Sequence, residues 1–542
     1  MKNDRFVFPE NELLIDQLKR RDLVFKKDPR LIYPWWPRPC HVKVLLLTDG
    51  SLNFGMGDFG LSTFVGILND DQRNYVEFEL TIAHRSGFVG TPETAVARSI
   101  PNFRFTDANH FTTAMYDQVW LFGFDASPVS MSNDELILLS TFMNEGGGVF
   151  ATGDHGQLGR GLCGSVTRVR SMRRWDNSSG EVGMEDPRRN DTNRQGHDVG
   201  SQFNDQSDDV PQVIQPKLYS SRIHGFWRET YPHPVLCCPL GRITVMPDHP
   251  HEGECLQPSD LSRTYLDGTP EFPGGISPEL IAFSSVPAGN TSGIKQPTQA
   301  HSFGSICAYD GHRANVGRVI TDATWHHFVN VNLVGELGVP DSQIKGKGFL
   351  ATASGQNHFR YIKHYYINIA VWISRKKNHQ CFNSRSIWDL VFNHRVLEAT
   401  MDNASIPFEK IAPSHLYAIG SHATDVLGKT ASQCRRLKLL LDLFEVILPE
   451  FARQLDPWEP VTKPDIGPDF PLIDTNPITA MAIGAGLLAI HEKFKIDDFE
   501  KISRIDESIS AVFEEGAKRG LDIARQSLNN QIKEYSRLQL VG

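Results

Sequence analysis

Segments that are apolar on both faces alternate with segments of helical spacing through the first two thirds of the chain. Residues 41–49 end in Leu-Leu-Leu-Thr-Asp, residues 117–124 read Asp-Gln-Val-Trp-Leu-Phe-Gly-Phe, and residues 148–152 read Gly-Val-Phe-Ala-Thr. A run with no polar face is what a central parallel strand needs, because helices cover it from both sides. Residues 76–83 alternate as a further strand, and a short one is expected at 102–105. Between 117–124 and 148–152, residues 133–143 carry helical spacing, with Ser132 or Asn133 as the cap. Residues 117–156 therefore predict a right-handed strand–helix–strand unit closed by a Gly-rich turn. Strand character returns at 242–246, 280–284, 304–309 and 317–322, the last two as a hairpin. The pattern predicts an α/β domain with a mostly parallel sheet over residues 41–375.

The same pattern marks what surrounds that domain. Residues 1–40 read as an arm, with a helix at 10–21 and a rigid Tyr-Pro-Trp-Trp-Pro-Arg-Pro segment at 33–39. Residues 157–240 form a polar insertion directly after the central unit, the position of an active-site cover. From residue 357 onward the spacing is helical, broken by a Pro-rich linker at 457–471, so residues 376–542 are expected as a helical domain. Ile502, Ile505, Ile509, Val512 and Phe513 form a stripe that must be covered by the apolar 480–490 segment or by a second subunit.

With 542 residues the chain can bury a sizeable core. Its net charge of −9 and pI of about 6.1 argue against a nucleic-acid or membrane-surface binder. No apolar run reaches membrane-span length, and the first residues lack a signal peptide. The eight cysteines show no CxxC spacing and no disulfide framework, which points to a soluble cytoplasmic protein.

Three motifs sit where strands end, the edge at which open α/β sheets bind ligands. Thr152-Gly-Asp-His-Gly156 presents Asp154 and His155 as base, acid or metal ligands. Asp248-His-Pro-His-Glu252 follows a strand, and in extended chain His249 and His251 point to one side, toward one cation. Asp322-Ala-Thr-Trp-His-His327 pairs Asp322 with His326 if the segment is a helical turn. The loop Gly55-x-Gly57-x-x-Gly60 could bind an anion or contact substrate, with Asp49 at its start and Asp58 inside it. Arg173 and Arg174 in the insertion are candidates for an anionic substrate group.

The sequence Tyr116-Asp-Gln-Val-Trp-Leu-Phe-Gly-Phe124, a helix, and Gly-Gly-Gly-Val-Phe-Ala-Thr152 resemble the class I glutamine-amidotransferase-like superfamily, nearest its ThuA-like branch. The resemblance implies a flavodoxin-like sheet with a nucleophilic Cys in the turn after residues 148–152, where this chain has Gly153-Asp154-His155. The superfamily's His-Pro-Glu dyad resembles His249-Pro-His-Glu252 with one residue inserted, and its late histidine matches His326 or His327 by position. A caspase-like arrangement, with His155-Gly156 ending an apolar strand, would require Cys163, Cys237 or Cys238 as nucleophile.

These features lead to an expected function: a hydrolase-like enzyme, metal-assisted, acting on a small polar or anionic substrate. Asp154, His155, His249 and His251 would hold a divalent ion such as zinc, and His326 backed by Asp322 would move the proton. Arg173, Arg174, Asp49 and Asp58 would contact substrate. The rival expectation is a catalytically inactive amidotransferase-like binding module, its helical region serving assembly as a homodimer.

Overall fold

The computed structural model describes residues 38–70, 76–126, 130–175, 209–220, 230–247, 252–286, 288, 300–403, 406–430, 437–438, 441–442, 445, 456–458, 475–494 and 508–539. The arm helix at 10–21, the linker from residue 459 on, half of the insertion (176–208 and 221–229), Cys434, Ile502 and Ile505 lie outside the described residues.

Ten strands form one sheet: β1 Cys40–Thr48, β2 Val76–His84, β3 Arg98–Ile100, β4 Gln118–Phe122, β5 Gly148–Thr152, β6 Gln212–Pro216, β7 Val245–Met246, β8 Glu279–Val286, β9 His301–Tyr309 and β10 Val319–Asp322. Their order is β7-β6-β8-β9-β10-β5-β4-β1-β2-β3, with β10 through β3 parallel and the β7–β9 side antiparallel. The fold is α/β, as the apolar runs predict. The weak strand expected at 102–105 is corrected to Arg98–Ile100; Phe103 and Phe105 are instead buried in turns below it.

Alternation along β1 builds two cores. Val42, Val44 and Leu46 face one layer with Trp120, Phe122 and Phe150, while Leu45 and Leu47 face the other with Val119, Leu121 and Val149. The first layer is covered by α1 Ser62–Asn69 and by the long helix Ala353–Trp372; the second is covered by α2 Asn133–Asn144. Ser132 caps α2 in a capping box with Glu135, and Glu135 also receives both nitrogens of the buried Arg85 at 2.6 and 3.0 Å. Below, α3 is Arg160–Cys163, α4 Val169–Met172, α5 Asn330–Val334, α6 Ile344–Lys347 and α7 the long helix Ala353–Trp372.

The helical region follows as α8 Lys376–Val391, α9 His394–Met401, α10 Pro413–Thr430, α11 Thr475–Phe494 and α12 Ile509–Gln539. Glycines set its close approaches: a Cβ on Gly420 or Gly484 would collide with the facing backbone of α11 or α10, and one on Gly516 or Gly520 with α11. Ile509, Val512 and Phe513 are buried against α11 within the chain.

The cysteine pattern needs a correction. Cys40, the first residue of β1, is disulfide-bonded to Cys381 in α8, with Cα atoms 5.9 Å apart and a sequence separation of 341. A pair this distant in sequence leaves no spacing signal. Among the described residues, no helix is long and apolar enough to cross a membrane.

Candidate functional site

Strand register lines up the carboxyl ends. His84, Thr48, Phe122, Thr152 and Asp322 are paired across β2, β1, β4, β5 and β10. The chain runs outward from β1 through β2 to β3 on one side, and through β4 and β5 to β10 on the other. The topological switch point thus lies between β1 and β4, where such sheets open a crevice.

Two residues beyond the Thr152–Asp322 pair stand Asp154 and Thr324, and their side chains meet: Thr324 Oγ1 donates to Asp154 Oδ1 at 2.9 Å. His155 Nδ1 lies 2.7 Å from Asp154 Oδ2, and His326 Nε2 lies 3.9 Å from the same oxygen. Asp154 is buried, whereas the His155 side chain is 33% exposed. His326 bonds Asn332 Oδ1 through Nδ1 at 2.8 Å and stacks on Trp325. Burial lowers its pKa to about 4, against the pull of Asp154, so its imidazole is neutral at neutral pH.

The expected Asp322–His326 pair is corrected: Asp322 Oδ1 is 2.7 Å from His327 Nδ1 instead. Asp322 ends a strand, and the helical turn begins only at Trp325, so the partner falls five residues on rather than four. Tyr365 Oη donates to Asp322 Oδ2 at 2.5 Å, completing a buried Tyr–Asp–His chain. His327 Nε2 faces Glu252 Oε1 at 3.9 Å, both side chains being fully buried. Burial works against protonation of His327 but Asp322 outweighs it, and its pKa is raised.

Arg173 holds this corner together. Its guanidinium donates to the carbonyls of Asp154, Asp322, Ala323 and Arg174 at 2.6–3.0 Å and stacks over Trp175. Burial lowers its pKa from the usual guanidinium value. It is a strut between β5 and β10, and its donors are committed to backbone rather than to a substrate anion. Arg174 is buried beside Glu254, 3.9 Å away.

Asp49 sits on the switch point. Its Oδ1 accepts the amides of Phe124 and Asp125 at 2.6 and 3.3 Å, and its buried Oδ2 has no hydrogen-bond partner among the described residues. Desolvation raises its pKa to about 7, with the nearby Asp125 adding to the rise. Trp325 Nε1 is likewise buried without a hydrogen-bond partner among the described residues, and the Phe59 and Phe124 rings pack on that indole at 5.8 and 5.6 Å.

The Gly-rich loop is folded on itself. Asn330 Nδ2 bonds the carbonyls of Gly55 and Gly57, its Oδ1 takes the Thr63 amide, and Asp58 Oδ1 accepts the Leu337 amide. Asp58 and the start of α1 are thus used in anchoring α5 and the turn after it. Cys163 is sealed against the carbonyls of Leu121 and Thr152, and burial raises its thiol pKa well above the usual value. Cys237 and Cys238 are buried in a small hairpin with residues 241–242.

Among the expected residues, Asp154, His155, Asp322 and His326 converge, and Asp49 shares their sheet edge. His249 and His251 lie outside the described residues, and no group of three or more His, Cys, Asp or Glu side chains that could hold a metal forms among the described ones. Glu252, expected only as a member of the His-rich stretch, and His327, expected as the alternative to His326 for the late histidine, are instead the pair that face each other. No protein-family model matches the chain, and no curated protein matches it in sequence.

Proposed function

We propose that the chain is a hydrolase that activates water beside the Asp154–His155 pair and acts on a small polar substrate. One observation carries this: the buried Asp154 carboxylate is bonded by Thr324 Oγ1 and lies 2.7 Å from Nδ1 of a partly exposed imidazole at the sheet's carboxyl edge. A carboxylate only accepts, so it fixes the His155 tautomer with the proton on Nδ1 and leaves Nε2 as the base. Nε2 takes a proton from water as its oxygen attacks the substrate, Asp154 steadies the imidazolium, and the proton then passes to the leaving group. Asp49, titrating near neutrality two strands away, is the second group able to give or take a proton. Asp49 Oδ2 and Trp325 Nε1, without a hydrogen-bond partner among the described residues, offer an acceptor and a donor beside aromatic walls. With Arg173 committed to carbonyls, the anionic half of the substrate expectation loses its main support.

The second reading, an inactive amidotransferase-like binding module, is favoured by Gly153-Asp154-His155 at the elbow, where the resemblance implies a thiol. A cytoplasmic setting fits the proposal only if the Cys40–Cys381 bond is shielded from reduction, and burial of Cys40 provides part of that shield.

A panel of esters, amides and phosphoesters tests the choice. Turnover of one class that falls about a hundredfold or more in His155→Ala and Asp154→Asn proteins of native circular dichroism supports the hydrolase. Undiminished turnover in His155→Ala excludes His155 as base. No turnover of any class favours the binding module.

A further inference from the structure

We propose that Glu252 and His327 bind a divalent cation, with His327 Nε2 and a Glu252 carboxylate oxygen as two of its ligands. The inference adds a cofactor to the hydrolase reading at the same corner of the sheet, but rests on its own residues. His327 is fully buried, and its Nε2 has no hydrogen-bond partner among the described residues. That nitrogen faces Glu252 Oε1 at 3.9 Å. Two ligands each about 2.1 Å from one ion stand roughly 3.4 Å apart in a tetrahedral site and up to ~4.2 Å when opposed, so the observed gap fits a shared cation.

The other side of the ring is prepared in the way metal-binding imidazoles are. Nδ1 is 2.7 Å from Asp322, and Asp322 is fixed by Tyr365, which directs Nε2 toward Glu252. Close approach of the Glu252 segment is built in: a Cβ on Gly253 would collide with Arg173 and the Ala323 carbonyl. The Gly253 amide bonds that carbonyl at 3.1 Å.

Charge points the same way. Asp154, Glu252 and Asp322 are buried carboxylates, and Arg173 is a buried guanidinium that bonds the Asp154 and Asp322 carbonyls. Buried carboxylates are costly away from water, and a divalent cation between Glu252 and a neutral His327 offsets part of that cost. One nitrogen and one carboxylate ligand suit zinc, cobalt or manganese better than calcium. Set beside Asp154 and His155, the ion would acidify a bound water.

The test uses the full chain, stripped with chelator, dialysed and titrated with Co²⁺ and Zn²⁺, read by visible absorption of bound cobalt and by calorimetry. Saturable uptake near one equivalent is expected, weakened about tenfold or more in His327→Ala and Glu252→Gln and by ~10–100-fold in Asp322→Asn. If His327→Ala does not fold, the isosteric Glu252→Gln decides. Wild-type protein that takes up neither ion overturns the site, and points to a protonated His327 bridging two carboxylates. Uptake as tight in the variants as in wild type overturns it too. Because the readout is binding, hydrolysis by protein that binds no ion would leave the Asp154–His155 reading standing. Binding by protein with no turnover would do the reverse.

Discussion

A carboxyl group that titrates near neutrality inside a fold costs stability once it ionises, and Asp49 is such a group. Its folded pKa of about 7 lies above the ordinary aspartate value of 3.8, so the folded chain holds the proton more tightly than the unfolded chain. The contribution is favourable at low pH and is lost as pH rises from about 4 through 7, by on the order of 4 kcal/mol if Asp49 acts alone. Asp49→Asn should therefore gain stability relative to wild type between pH 5 and pH 8 in urea denaturation. An unchanged difference across that range would mean Asp49 is not the titrating group. Arg173 has the opposite character. Arg173→Ala strips four buried carbonyls of a charged donor and should cost about 3–5 kcal/mol. A loss below ~1 kcal/mol by chemical denaturation would show that the strut is dispensable. At this scale the sequence is a partial guide. Asp154 and His155 follow from their place after an apolar strand, but the choice of His327 over His326 by Asp322 depends on where one turn begins. The Asp49 pKa depends on burial by segments far away in sequence.

Elements were legible wherever one physical requirement dominated. Strands buried on both faces cannot carry polar side chains, so 41–49, 117–124 and 148–152 stood out and match β1, β4 and β5 within a residue or two. Edge segments lack that constraint, and Arg98–Ile100 went unmarked beside the more apolar 102–105. The cap of α2 was readable from Ser132, yet the load on Glu135 was not, because Arg85 arrives from the end of β2. Glu135 closes the capping box, pairs with Arg85 on both oxygens and accepts the Phe105 amide at 2.9 Å. Burial would raise its pKa, but Arg85 and the backbone donors prevail and lower it. Glu135→Gln keeps the shape and removes the charge opposite a buried guanidinium, so a loss of roughly 2–4 kcal/mol is expected. A thermal shift indistinguishable from wild type would place the stability of this corner elsewhere.

At the scale of the whole molecule, sheet and helical region are tied covalently by Cys40–Cys381 and non-covalently through α8. Cross-linking residues 341 apart removes unfolded-state freedom worth on the order of 5 kcal/mol in the chain-entropy model. Neither tie was visible in the sequence, since both join residues with no local relation. The apolar stripe of α12 was visible, and α11 covers it inside the chain through Gly486, Gly516 and Gly520. Removing residues 475–542 would then uncover the faces of α8 and α10 that carry Trp388, Ile419, Ala423 and Val426. Burial of a large aliphatic or aromatic side chain is worth about 1.5–3 kcal/mol, so several exposed together make a strongly adhesive surface. The sheet layers and their disulfide keep their own cores, Cys40 being packed with the β1 residues rather than with α11 or α12. The truncated chain should therefore retain native-like far-ultraviolet circular dichroism from the sheet while binding a hydrophobic dye and self-associating in light scattering. A truncated chain as monodisperse and dye-silent as the full one would mean α10 finds other cover, and that α11 and α12 are not what shields this face.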